Sequence, residues 1–131
     1  MDAEPVLAAM FRRRCRFVVV GSVARQLSGE AVRSADLDIV IDTAPAERVK
    51  IVAALADLEA RVVVDGRLRP VTASTALPWR WSWTAVTVFG TIDVIGQFVD
   101  GTGFAEHRGD ASSVPIGSGA TVLFHPTRHV A

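Results

Sequence analysis

Cysteine and lysine are nearly absent from the chain, and each shortage excludes something. A single cysteine, Cys15, in 131 residues rules out an internal disulfide and a cysteine-based zinc site. A reducing cytoplasm is the simplest setting for such a chain. A single lysine, Lys50, stands against 13 arginines, so arginine must make almost every cationic contact. Arginine suits fixed, bidentate phosphate contacts, and genomic base composition produces the same bias. Net charge is absent too, at a formal value of +0. Overall basicity therefore gives no reason to expect nucleic-acid binding, and overall acidity none to expect a solvating tail. No apolar run approaches the roughly 18 residues that cross a bilayer, so no membrane partner is expected. Arg12 to Arg14 follow the short apolar piece VLAAMF instead of preceding it, the reverse of a secretory leader. Repeats, low-complexity tracts, a dinucleotide fingerprint, a Walker A loop, a nucleophile elbow and a zinc-protease motif are all missing.

What is present fits one soluble domain, with 50% hydrophobic and 21% charged residues. The pattern predicts a helix over 5–14 and a buried strand over 16–20. A short helix over 22–29 follows, with Ser22 as N-cap and Gly29 as its stop. A strand is expected over 36–42 and a helix over 44–60 with Pro45 near its start. Residues 61–65 read as a strand and GRLRP (66–70) as a turn. Alternation over 80–89 and 90–98 predicts two strands joined by a tight turn near Gly90. One or two helical turns are expected within 101–109, and one or two short strands within 113–124, broken at 117–119. HPTRHVA (125–131) reads as the first turn of a helix. The fold class is α+β, a mixed central sheet with helices packed against it.

The chemistry lies in GSVARQLSGEAVRSADLDIVID (21–42). Alternation puts Asp36, Asp38, Val40 and Asp42 on one side of a strand, with Leu37, Ile39 and Ile41 on the other. Two carboxylates on one face repel unless a cation lies between them or one is protonated. A hard divalent ion supplies that charge and takes carboxylate and phosphate oxygens together. Asp93, in TIDVI, is the other aspartate in a strongly strand-like context. A strand beside 36–42 would bring it into the same cluster. Gly21 permits close backbone approach to a phosphate, Ser22 adds a hydroxyl, and the following helix end favours anions. Arg25 either contacts phosphate or braces the acidic strand.

These residues resemble the nucleotidyltransferase superfamily built on the DNA polymerase β-like palm. The resemblance rests on GSVAR, then ADLDIVID, then Asp93 on a later strand, and covers 16–42 and 85–96. The GSxAR form looks most like minimal bacterial and archaeal members. Those include relatives of aminoglycoside nucleotidyltransferases and the nucleotidyltransferase partners of toxin–antitoxin systems. The resemblance implies a single minimal domain over 1–131, without the family's further C-terminal helices. It implies that Gly21 and Ser22 hold the phosphates of a nucleoside triphosphate such as ATP. Asp36, Asp38 and Asp93 would bind Mg²⁺, with Mn²⁺ as a substitute, and Asp93 would help deprotonate an acceptor hydroxyl. The acceptor is a small molecule, a protein side chain or an RNA end. A homodimer or a protein partner would help complete so short an enzyme. Lys50 lies on the wrong helix to serve the triphosphate. A second reading keeps the fold as an inactive, antitoxin-like docking module.

Other residues carry blander readings. Asp42 reads as a strand-end or capping residue. Trp79, Trp81 and Trp83 alternate along one strand, as a core or interface stripe or as a stacking surface for a base. His125 and His129 have helical metal-ligand spacing but no cysteine or acid near them. His107 reads as a surface residue, and Cys15 as a buried, inert thiol.

Overall fold

The computed structural model describes residues 1–117 and 119–126. Helix α1 spans Ala3–Arg12 and strand β1 Phe17–Val20. Helix α2 covers Gly21–Leu27, β2 Asp36–Ile41 and α3 Pro45–Asp57. A hairpin of β3 (Arg61–Val64) and β4 (Arg67–Pro70) follows. A second hairpin joins β5 (Ser82–Thr87) to β6 (Gly90–Ile95). Helix α4 (Phe104–Gly109) leads to β7 (Ser112–Pro115) and β8 (Thr121–Phe124). The described strands form one mixed sheet in the order β4-β3-β5-β6-β2-β1-β8-β7.

The period-2 pattern of the central strands assigns each residue to a face. Leu37, Ile39, Ile41, Val19, Ile92 and Val94 belong to the larger core, with Val6, Leu7 and Met10 of α1 and Ile51 and Leu55 of α3. Val18, Val20, Val40, Ile95 and Phe98 form a smaller core on the opposite face, with Phe104 of α4 against it. Each fully buried aliphatic side chain contributes about 1.5–3 kcal/mol by leaving water, so the six-residue β2 is anchored on both sides. Asp36 and Asp38 share the second face, as their alternation requires.

Several expectations are corrected. GRLRP is no simple turn: only Asp65 and Gly66 turn, at φ 51° and 76°, and 67–70 pairs with β3. Two positive-φ residues suit a tight hairpin with the sheet's twist, and the arginines of β4 obscured its strand character. Helix α2 begins at Gly21, one residue before the expected cap, and Ser22 lies inside it. The tryptophans do not form one stripe, because β5 starts only at Ser82. Trp79 and Trp83 meet edge to face at 5.7 Å and pack against the larger core, while Trp81 is 57% exposed. His107 is half-buried, not fully on the surface; its ring lies 4.5 Å from Phe98 and 5.7 Å from His125. His129 and the helix expected over 125–131 fall outside the described residues, apart from His125 and Pro126, which are in neither helix nor strand.

Candidate active site

Three neighbouring strands build the site. β1 runs antiparallel to β2, with Val20 opposite Asp38. β6 runs parallel to β2 on its other side, with Asp38 opposite Asp93 and Asp36 opposite Thr91. The turn at Gly21 therefore lies beside the first residues of β2, next to the acids. Gly21 has φ +70° and is buried. Only glycine adopts that conformation without cost, so the chain can pass straight from β1 into α2 at this point.

Ser22 ties the two halves of the motif together. Its hydroxyl lies 2.7 Å from that of Ser34. Ser34 in turn donates to the carbonyl of Asp36 at 2.6 Å. Gln26 of α2 donates to the carbonyl of Val32 at 2.7 Å. The link over 28–35, which has no regular secondary structure, is thus pinned to α2 just before the acids begin.

Asp38 is only 7% exposed. Burial, a side-chain hydrogen bond to Asp93, and the charges of Asp93 and Asp36 push its carboxyl up to about 7. Thr84 of β5 donates to Asp93 Oδ1 at 2.9 Å, from the register position directly across β5 and β6. Asp38 and Asp93 are therefore brought together, and Asp36, a pleat away on the same strand, acts on Asp38 through its charge. Among the described residues no three His, Cys, Asp or Glu side chains gather closely enough to hold a metal by themselves. The close set is a pair, not a trio. Two carboxyls this close, one of them pushed up by burial and by its neighbour, fit a hard divalent ion, and an all-oxygen donor set suits Mg²⁺ or Mn²⁺ better than softer metals.

Arg25 does not brace the acidic strand. It turns to Glu30, with Nη2 3.1 Å from Oε1. Lys50 pairs with Glu47 of the same helix at 2.8 Å, away from the acids. Asp42 stands at the strand end, as expected, and accepts from the backbone N–H of Ala44 at 3.1 Å, but the N-cap of α3 is Ala44 and no side chain caps that helix. Cys15 is half-buried, and burial raises its thiol to about 12, as suits an inert residue. Ser34 and Thr84 escaped the sequence reading. Ser34 stands two residues before the first acid, a spacing typical of local hydroxyl-to-backbone bonds. Thr84 had no such signal, because its role depends on cross-strand register.

The sequence matches no protein-family profile and no curated protein. The fold does have counterparts among solved structures. The crystal structure of ANT(2″)-Ia in complex with adenylyl-2″-tobramycin superimposes with a TM-score of 0.56 at 19% identity. That match covers 91% of this chain and 64% of the other. The solution structure of the same antibiotic-resistance factor gives 0.57 at 18%, covering 95% and 66%. A Thermotoga maritima protein assigned to the nucleotidyltransferases gives 0.55 at 15%, covering 91% and 73%. The chain thus spans just under two thirds of the length of ANT(2″)-Ia.

Proposed function

The chain has the nucleotidyltransferase fold, and we propose that it is a Mg²⁺-dependent nucleotidyltransferase. The pairing of Asp38 with Asp93 on adjacent parallel strands, beside the Gly21–Ser22 turn, carries this reading. Asp38, Asp93 and Asp36 would hold the cation. Bound there, it would supply the positive charge that neutralises the triphosphate and the charge developing during transfer. The backbone at Gly21 and the hydroxyl of Ser22 would receive phosphate oxygens, once Ser22 is released from Ser34. Arg25 would join them only by leaving Glu30. Asp93 would accept the proton of the attacking acceptor hydroxyl, and Thr84 would keep its carboxylate aimed. The hydroxyl oxygen would bond to the α-phosphorus, and the bond to pyrophosphate would break in line. The fixed strands would supply positioning, the main contribution a protein makes to such a transfer.

An antitoxin-like docking module would use the tryptophans as an exposed contact strand, but Trp79 and Trp83 pack against the core. A buried acid pair also has no use in a pure docking surface.

The test is label transfer from α-labelled nucleoside triphosphates to cell extract or candidate acceptors, with Mg²⁺. Transfer by the parent protein that is lost in the Asp38→Asn, Asp93→Asn variant is the expected result. Undiminished transfer by that variant would sink the assignment.

A further inference from the structure

The far end of β2 holds a second charged region that the transfer chemistry does not use. An open cleft of about 710 Å³ is lined there by Arg16, Arg48, Arg80 and Arg108, with Asp42 and Glu106 as its carboxylates. Asp42 lies four residues beyond Asp38 along the strand direction, which places the cleft about 13 Å from the acid pair.

The arginines come from four separate segments: before β1, the first turn of α3, before β5, and α4. Aromatic rings support all four. Arg16 and Arg108 stand over Phe104 at 5.4 and 6.0 Å. Arg80 lies over Trp81 at 5.2 Å and Arg48 over Trp79 at 5.7 Å. Stacking of this kind fixes a guanidinium plane and leaves edge N–H groups for a ligand; Arg48 is held further by its Nε, which donates to the carbonyl of Thr43 at 2.7 Å. The available carboxylates are partly engaged. Asp42 faces Arg16 at 3.5 Å and accepts from Ala44, and Glu106 accepts from the N–H of Gly103 at 3.2 Å. Arg80 and Arg108 have no ion pair among the described residues. Gly96 keeps the segment before β5 close, since a Cβ there would collide with the carbonyl of Trp79.

We propose that this cleft is a separate binding site for a small polyphosphorylated ligand of nucleotide size. Four pre-set guanidiniums match several anionic oxygens, and the volume falls within the range of small-ligand sites, roughly 300–1,000 Å³. Crowded acids at one end of β2 repel an anion that the other end attracts. The site stands whether or not the acid pair carries out transfer.

Equilibrium dialysis tests it, with labelled pyrophosphate and ADP, in EDTA and low salt. Saturable binding by the parent protein and equally by the Asp38→Asn, Asp93→Asn variant is expected. Arg80→Ala and Arg108→Ala should each weaken it about tenfold, whereas Arg67→Ala, on β4, should not. Unchanged affinity in the Arg80→Ala, Arg108→Ala variant would overturn the proposal. So would loss of binding on changing the acids, or an absence of saturable binding by the parent. Tighter binding of a short single-stranded oligonucleotide than of ADP, through the same arginines, would overturn the assignment to a small ligand.

Discussion

The two ends of β2 are opposites. At its start Asp38 lies against Asp93 with Asp36 a pleat away, and the nearest expected cation, Arg25, has turned away to Glu30. Just past its end Asp42, with Glu106 of α4, stands among the four arginines of the cleft. Three buried residues, Ile39, Val40 and Ile41, separate the two. A formal net charge of +0 conceals this separation completely. Sequence-wide charge therefore says little about what a small protein binds when a rigid strand can sort the signs to opposite ends.

The largest effect should come from removing the acid pair. Asp38→Asn or Asp93→Asn should lower nucleotidyl transfer by about 10³-fold, read as initial rates at saturating triphosphate, with folding checked by circular dichroism. The matching change at the other end, Arg80→Ala with Arg108→Ala, should leave transfer chemistry at the acids intact. Equal losses from both would erase the contrast between the ends.

Next comes the pH dependence of stability without a divalent cation. The folded Asp38 carboxyl titrates near 7 and an unfolded one near 3.8. Between those values the folded state holds the extra proton, so stability should fall as pH rises from about 4 to 7 and then level off. Urea denaturation in EDTA across that range measures the slope. Asp38→Asn should flatten it, and Mg²⁺ should restore stability above pH 7 in the parent protein alone. A stability that rises through this window because of Asp38 would contradict the picture of crowded acids.

Gly21→Ala should cost about 1–2 kcal/mol, because alanine resists the left-handed backbone at φ +70°. It should also lower transfer by disturbing the turn beside the acids, whereas Gly119→Ala, between β7 and β8, should spare transfer. The smallest effect belongs to Thr84→Val. Loss of one hydrogen bond to Asp93 should cost about 1 kcal/mol or less, seen in the denaturation midpoint, with a severalfold decrease in rate.

Much of this was legible from residue order. The alternation of DLDIVID placed its acids on one face, and TIDVI showed the same acid among apolar neighbours. Those two patterns marked both as strands carrying acids, and the family resemblance implied that they meet. Register was not legible: nothing local says that Asp93 faces Asp38 and not Asp36. The β4 strand was hidden because RLRP lacks apolar alternation and gains its ladder only from β3. The tryptophan spacing misled for a related reason. Alternation has meaning only inside a strand, and β5 begins after Trp79 and Trp81. The arginine cleft was invisible, since its four cations are scattered over 93 positions, from Arg16 to Arg108.

Mn²⁺ binding, without nucleotide, is the most direct test of the acid pair as a cation site. Water-proton relaxation can follow the titration at pH 8 for the parent protein and for the Asp38→Asn, Asp93→Asn variant. Saturable enhancement in the parent that disappears in the variant is the expected result. Equal enhancement in both, or none in the parent, would contradict it.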